Sequence, residues 1–413
     1  MDLSPEKQLE LIRENTVDLI PEEELLKKLK SGRPLRVKYG VDPSGPDVHL
    51  GHTVPLRKLR LFQDLGHTAV LIVGDFTGMI GDPSGRSDTR RQLTRQQIEQ
   101  NLANYKEQLF KIVDPDRTEF HYNSEWLGKL TPEQIMRLAA SVTVAQLLAR
   151  DDFAKRYQAQ QPISLHEFLY PVFQGYDSVA VQADVEIGGT DQTFNFLVAR
   201  ELQRANPLGE PQEPQCIVTF PLLVGTDGAE KMGKSLNNYI GIMEPPDQIF
   251  GKVMSVPDEV IAAYFELCTD VPAAEVAAMV AEMKSGDLNP RDAKRRLARE
   301  IVTLYHSAEA AEQADERFLS VFSSSREQTR DDYEAVAEEV AIPASLQGKR
   351  VWISTALAEL GLASSKGEAR RLIKGGGVYV DERRISDLQE EVELVAGMLV
   401  RVGKRRVARL VAG

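Results

Sequence analysis

Cysteine is nearly absent from this chain of 413 residues, which holds only Cys216 and Cys268. Two thiols cannot build a disulfide framework, and so sparse a set fits a reducing compartment, read here as the cytoplasm. Histidine is scarce too, with six in the whole sequence. No run of 18 apolar residues occurs, so no membrane-spanning helix is expected. The opening MDLSPEKQLELIREN lacks a basic start followed by an apolar core; Ser4 before Pro5 instead predicts a capped, folded helix and not a signal peptide. An excess of positive charge is also missing. The formal net charge of -12 argues against indiscriminate coating of nucleic acid. The deficit is uneven, however: Gly348 to Gly413 carries 13 Lys+Arg against 8 Asp+Glu, leaving 37 against 54 in the rest. An acidic body with a basic tail suggests a localised polyanion contact.

What is present describes a globular protein of two or three domains, with 42% hydrophobic and 27% charged residues. Between Leu35 and Gly225, short apolar runs alternate with longer amphipathic ones. LRVKYGVD (35 to 42), TAVLIVGD (68 to 75), RTEFHYN (117 to 123) and CIVTFPLLVG (216 to 225) read as strands. Periodicity predicts helices over VPLRKLRLFQDLG (54 to 66) and TRQQIEQNLANYKEQLFKIV (94 to 113). The alternation implies an α/β protein with a parallel sheet, whose ligands bind at the carboxyl ends of the strands. From about Pro245 the pattern is all-helical. Residues 323–349, polar, acidic and serine-rich, read as a linker before a compact unit over 350–413.

Two stretches point to phosphate chemistry. In DVHLGHT (47 to 53), His49 and His52 follow the turn composition DPSGPD and precede a helix expected to start near Pro55. A helix N-terminus attracts anions through its backbone N–H groups and dipole, and Gly51 lets a flat ring such as a purine approach the backbone. Taken alone, the pair could instead chelate a metal or be two surface histidines at a cap. No HExxH and no cysteine or carboxylate cluster supplies further ligands, so no protein-held metal is expected. GTDGAEKMGKS (225 to 235) sets Lys231 and Lys234 among glycines, able to bring two point charges to one polyphosphate; alone it is equally a solvated basic turn.

Two further patterns concern recognition. In LYPVFQGYD (169 to 177), Tyr170, Gln174 and Asp177 fall on one helix face, which periodicity alone does not distinguish from an ordinary amphipathic helix. Arg370, Arg371 and Lys374 fall on a helix ended by GGG (375 to 377), which suits RNA backbone contacts or a solvated charged face. KRR (404 to 406) is a second basic patch.

HLGH together with KMGKS resembles the HIGH and KMSKS signatures of class I aminoacyl-tRNA synthetases. FTGMIGDPSGRS (76 to 87), LYPVFQGYD and IGGTDQ (187 to 192) are similar, in order and spacing, to motifs of the tyrosyl-tRNA synthetase family within that class. LGLASSKGEARRLIKGGGVYVD (360 to 381) resembles the S4-type RNA-binding domain that ends bacterial members. The resemblance covers most of the chain. It implies a Rossmann-like catalytic domain over 1–244, an α-helical domain on the tRNA-anticodon side over 245–322, and a small α+β S4-like domain over 350–413.

The implied activity is a tyrosine-tRNA ligation: the amino-acid carboxylate attacks the α-phosphorus of ATP, pyrophosphate leaves, and the 3′-terminal ribose of tRNA(Tyr) takes the tyrosyl group. Such a reaction rests on positioning and charge stabilisation and needs no protein nucleophile. The resemblance assigns His49, His52, Lys231, Lys234 and Arg86, with Arg90 helping, to the phosphates. It assigns Asp42, Ser44, Gly51, Gly189, Asp191, Met232 and Lys234 to ATP. Thr77, Asp82, Tyr170, Gln174, Asp177 and Gln192 fall to tyrosine, with Asp177 accepting the phenol hydrogen. Arg370, Arg371 and Lys374 fall to tRNA. Implied partners are L-tyrosine, ATP with Mg²⁺ held mostly by the nucleotide, tRNA(Tyr) and a second copy of the chain in a homodimer, with no prosthetic group and no membrane.

Three positions depart from the family pattern. Alignment on Gly40-x-Asp42-Pro43 puts Lys38 in the tyrosine set where many members carry a tyrosine, while Tyr39 would point to the opposite strand face. Pro55 stands where others often have threonine, and Gly233 replaces the serine of KMSKS. The competing readings are a tryptophan-specific synthetase, disfavoured by Asp177 and the S4-like tail; a small-molecule nucleotidyltransferase, which has no use for such a tail; and a synthetase-like RNA-binding protein without catalysis, disfavoured by the intact motifs.

Overall fold

A computed structural model of the chain describes residues 3–84, 93–322, 333–334, 337–381, 383–403 and 406–412. The chain divides into two compact units, Met1–Val224 with Lys231–Ile242, and Gly225–Glu230 with Met243–Gly413. The first is built on a six-stranded sheet of order β1-β6-β5-β2-β3-β4, with β1 Leu19–Ile20, β2 Arg36–Val41, β3 Thr68–Val73, β4 Thr118–Tyr122, β5 Val185–Gly189 and β6 Cys216–Phe220. All neighbours are parallel except the two-residue β1, which closes the β6 edge antiparallel. Five of the six residues of β3 are buried and it lies between β2 and β4, as its uninterrupted apolar run predicts. The four strands expected from sequence are present. β5 was not among them: VEIGG has little strand propensity, and it pairs because the sheet encloses it between β2 and β6.

Chain order runs β2-β3-β4 outward in one direction and then returns to β5-β6 on the other side of β2. This reversal between β2 and β5 is the switch point where a doubly wound sheet opens a crevice at its carboxyl edge. Two helices matter there. One, Leu50–Asp64, begins at Leu50 with His49 as its N-cap, not near Pro55 as expected; Pro55 lies inside it. Pro55 falls in the second turn, where proline costs one helical hydrogen bond and usually marks a boundary, and the cap is supplied by an imidazole, which is why the pattern misplaced the start. The other, Leu165–Ala180, carries a capping box between Ser164 and Glu167.

The helix expected over 94 to 113 is two helices, Arg95–Leu102 and Tyr105–Leu109. The break serves the loop before His49. Beyond it Tyr105 is fully buried, and the Gln108 amide accepts from Val48 N at 2.7 Å and donates to the Pro46 carbonyl at 2.8 Å. Asn101 donates to the Pro43 carbonyl at 2.8 Å. The N-terminal helix Pro5–Arg13 has Ser4 as its side-chain cap, as read from sequence.

The second unit holds the expected helical segment, Pro246–Ser255 to Ala308–Phe322, with Phe250 and Phe318 rings 5.4 Å apart in its interior. It also holds a five-stranded sheet of order β10-β9-β12-β13-β7, from β7 Glu338–Ala341, β9 Val378–Val380, β10 Arg383–Arg384, β12 Leu399–Val402 and β13 Arg406–Val411. A two-stranded ribbon joins β8 Arg350–Trp352 to β11 Glu391–Glu393. Strand β7 lies inside the segment read as linker. It pairs parallel with β13, and the Ile342 N–H donates to the Val411 carbonyl at 2.9 Å, so the C-terminal fold starts before residue 350. An acidic strand at a sheet edge has no apolar signature, which is why EEVA reads as linker.

Candidate active site

The carboxyl ends of β2, β3, β5 and β6 surround a cavity of about 260 Å³ in the first unit. The Leu50–Asp64 helix contributes Gly51, His52, Val54 and Pro55 to its wall, and the Leu165–Ala180 helix contributes Tyr170, Gln174 and Asp177. Two motifs about 120 residues apart in sequence thus meet at one strand edge.

The histidine pair is built as a helix cap. The Gly51 N–H donates to His49 Nδ1 at 3.2 Å, and the His49 N–H donates to His52 Nδ1 at 3.2 Å. Both Nδ1 atoms are acceptors, so Nε2 carries the hydrogen of each neutral ring. The ring centroids lie 3.8 Å apart. Burial holds His49 down to about 3, with the Lys234 charge adding to it. Burial, then His49, then Lys234 hold His52 well below the ordinary histidine value. The pair therefore offers two neutral N–H donors at a helix N-terminus, not two cations. Gly51 suits this arrangement: a Cβ there would stand 3.0 Å from His49 Cε1 and press on the ring. Pro55 has no N–H to give the Gly51 carbonyl, which therefore lacks its helical partner at the cavity wall.

Lys231 and Met232 also line the cavity. Lys231 Nζ donates to Asp191 Oδ2 at 2.8 Å. Lys234 lies outside the lining, its ammonium 2.8 Å from the Gly45 carbonyl and over the Tyr105 ring. Asp42, Ser44, Gly189 and Asp191, which the resemblance assigns to ATP, are in the wall. Arg86 and Arg90 lie outside the described residues.

At the far end the groups are polar, with Thr77, Asn123, Tyr170, Asp177 and Asn195 buried. Asp177, 4% exposed, accepts from Trp126 Nε1 at 2.7 Å and Asn123 Nδ2 at 3.2 Å. Burial raises its carboxyl, against the Lys38 charge and these two donors, to about 7. Thr77 Oγ1 donates to Asp42 Oδ1 at 2.8 Å, and the Tyr170 hydroxyl donates to Asp42 Oδ2 at 2.9 Å. Gln192 Nε2 donates to Asp82 Oδ2 at 2.8 Å, and Asn195 Nδ2 donates to Gln174 Oε1 at 2.7 Å and Gln192 Oε1 at 3.1 Å. Asn123, Trp126 and Asn195 were not read from the sequence. A signal existed for two of them: HYNSEW follows the carboxyl end of β4 and holds one of only two tryptophans.

The structure does not bring Lys38 into the cavity. Its side chain is fully buried, with Nζ 2.7 Å from Glu186 Oε1. Tyr39, expected to point away, lines the cavity instead. Strand alternation is obeyed; the cavity lies over the end of β2 and is reached from both faces. Gly40 lines it too, and a Cβ there would project into open space.

In the second unit, Arg370, Arg371 and Lys374 are exposed on the Lys366–Lys374 helix while Ala369 and Ile373 are buried, and the helix stops at Gly375. Of KRR, Lys404 and Arg405 lie outside the described residues, and Arg406 opens β13 in an ion pair with Glu338 at 3.2 Å. Among the described residues, no group of three or more His, Cys, Asp or Glu side chains could hold a metal, and no helix is long and apolar enough to cross a membrane.

Residues 30–323 match the family of tRNA synthetases class I (W and Y), and residues 351–400 match the S4 domain. The chain is 51% identical over 408 residues to a tyrosine-tRNA ligase of Moorella thermoacetica, covering 98% of this chain and 95% of the relative. It is 49% identical to that of Thermotoga maritima, over 100% and 99% of the two chains. The fold is shared with a tyrosyl-tRNA synthetase of Archaeoglobus fulgidus solved with L-tyrosine, at TM-score 0.61 and 22% identity over 75% of this chain and 99% of that one. A truncated mitochondrial tyrosyl-tRNA synthetase of Coccidioides posadasii gives a TM-score of 0.60 at 25% identity, over 76% and 92%.

Proposed function

The chain belongs to the tyrosine-tRNA ligase family of class I aminoacyl-tRNA synthetases, and from that premise we propose how its cavity carries out the ligation. The enzyme activates L-tyrosine with ATP and passes the tyrosyl group to tRNA. Tyrosine enters with its phenol toward Asp177, and its ammonium faces Tyr170, Gln174, Asp82 and Gln192. Thr77 orients Asp42 beside them. Asp177 carries this reading: a buried carboxylate at the closed end of the slot, already fixed by two donors, is an acceptor matched to a hydroxyl that phenylalanine and tryptophan lack.

ATP enters as its magnesium complex, the metal being carried by the phosphates. Its base lies against Gly51 and Met232, its ribose meets Asp191 and Gly189, and its phosphates meet the two Nε2–H donors of His49 and His52 near Ser44. As negative charge develops on the leaving pyrophosphate, Lys231 leaves Asp191 and Lys234 leaves the Gly45 carbonyl to meet it, and the family resemblance adds Arg86 and Arg90 to the same charge stabilisation. Neutral histidines suit this role because they stabilise the transition state by hydrogen bonding without an initial charge that would hold product.

Transfer requires tRNA(Tyr), which Arg370, Arg371 and Lys374 would grip by its backbone. The helical segment 245–322 would face its anticodon side. Exposed Met136, Val144, Tyr157 and Leu165, the last 78% exposed, support a homodimer in which a second copy covers them. The two cysteines, Cys216 and Cys268, both buried, fit the cytoplasm. The test is ATP-pyrophosphate exchange by the purified protein, without RNA, with each of the twenty amino acids. Exchange with tyrosine alone is expected; exchange dominated by tryptophan would overturn the reading of the slot.

A further inference from the structure

Resting on that reading of the slot, we propose that Lys38, outside the cavity, is the positioning residue for the tyrosine-recognition helix, anchoring the turn that carries Gln174 and Asp177 and, with Glu186, setting the charge of Asp177. Lys38 of β2 and Glu186 of β5 are direct register partners on adjacent parallel strands, 0% and 1% exposed, with Nζ and Oε1 2.7 Å apart. From this pair the ammonium reaches up to the Leu165–Ala180 helix, donating to the Gln174 carbonyl at 2.9 Å and Ser178 Oγ at 2.7 Å. Those two residues bracket Asp177. Ser178 Oγ donates in turn to Glu186 Oε2 at 3.1 Å, and Gln215 Nε2 donates to the same oxygen. The cluster thus ties one turn of the helix to the middle of the sheet.

Stability alone is a poor reason for such a pair, since two buried charges are costly to desolvate and a well-packed apolar pair is often as stable. Its placement gives a better one. The charges that act on Asp177 are Lys38 from β2 and Glu186 from β5, while Asp42, beyond β2, lines the same cavity and Asp75 follows β3. Asp42 is engaged by Thr77 and Tyr170, and Asp75 by Ser124. Trp126 and Asn123 face the carboxyl as neutral donors. Lys38 pulls the Asp177 carboxyl toward ionisation against burial, and Glu186 pushes it back. Opposite pushes from two members of one pair give opposite signs to their removal.

The experiment is the pH dependence of kcat/KM for tyrosine in ATP-pyrophosphate exchange, on the full chain, for wild type, Lys38→Met, Glu186→Gln and Lys38→Met/Glu186→Met. The acid limb is expected to move up by about one pH unit in Lys38→Met and down in Glu186→Gln. The KM for tyrosine at pH 7 rises about tenfold in Lys38→Met, with kcat changed less. In the double variant the limb returns toward that of wild type while the KM stays raised, because the anchor on Gln174 and Ser178 is gone. Limbs that stay fixed in the two single variants, or shift in the same direction in both, overturn the proposal; where Lys38→Met fails to fold, a Glu186→Gln limb that does not move down, or a double variant whose KM is that of wild type, overturns it. Wild-type protein without tyrosine-dependent exchange at any pH overturns the reading of the slot as well; active wild type with unmoved variants overturns this proposal alone.

Discussion

Replacing Asp177 with asparagine changes one atom at the closed end of the slot and has separable consequences. The carboxylate takes hydrogen bonds from Trp126 and Asn123 and keeps lone pairs for a phenol. An amide has one oxygen, so its NH₂ must confront one of those two donors or displace the phenol. Loss of a hydrogen bond to a charged acceptor is worth about 1.5–3 kcal/mol, or roughly 10- to 150-fold in kcat/KM for tyrosine. The crowded donor costs about 1–3 kcal/mol more, felt in the stability of the free protein as a lower melting temperature. The assay is ATP-pyrophosphate exchange at pH 8, where the wild-type carboxyl is ionised, with tyrosine and phenylalanine in parallel. Phenylalanine has no hydroxyl to lose, so its poor kcat/KM is expected to change by less than about threefold. Equal losses for both amino acids would refute phenol recognition by Asp177 and reduce the residue to a structural one.

Because burial leads the forces that hold the Asp177 carboxyl up at about 7, kcat/KM for tyrosine in the wild type should fall as pH drops through that value. The stability effect has the opposite sign. The folded state binds more protons than the unfolded one between about pH 4 and 7, so this residue's contribution declines as pH rises; thermal melts across that range, compared with Asp177→Asn, check it. His52→Ala should slow adenylate formation about 10²-fold while tRNA affinity, read by filter binding, is unchanged; equal loss of both would contradict the division of labour. Truncation after Phe322 should spare tyrosine activation and abolish charging of tRNA. A cut after Lys349 is expected to aggregate, because it strands β7 without β13, and light scattering of the two products distinguishes them.

The sheet was legible where strands are largely buried, as in β2, β3 and β6, because those runs carry their burial in composition, and in β4, half-buried throughout, through the alternation of TEFHY. β5 and β7 were not, since VEIGG and EEVA become strands only through the neighbours that enclose or extend them. The site was legible in its motifs, HLGH, LYPVFQGYD and IGGTDQ, whose side chains line one cavity. What the motifs do not encode is the surrounding support. Asn123 and Trp126 reach Asp177 from beyond β4, Asn195 reaches Gln174 from the following helix, and Gln108 holds the loop before His49 from 60 residues away. Lys38 shows the limit most clearly: alignment with the family pattern put it in the tyrosine set, and its buried ion pair with Glu186 keeps it out of the cavity lining.

If this cavity makes tyrosyl-adenylate and the same chain hands it to tRNA, both steps are visible in one experiment. The most direct measurement is a single turnover with excess protein, α-labelled ATP, magnesium and L-tyrosine, followed by addition of tRNA. Bound tyrosyl-adenylate is expected in the first stage and its discharge to tyrosyl-tRNA in the second. Absence of adenylate with tyrosine, or adenylate that tRNA(Tyr) cannot discharge, would contradict it.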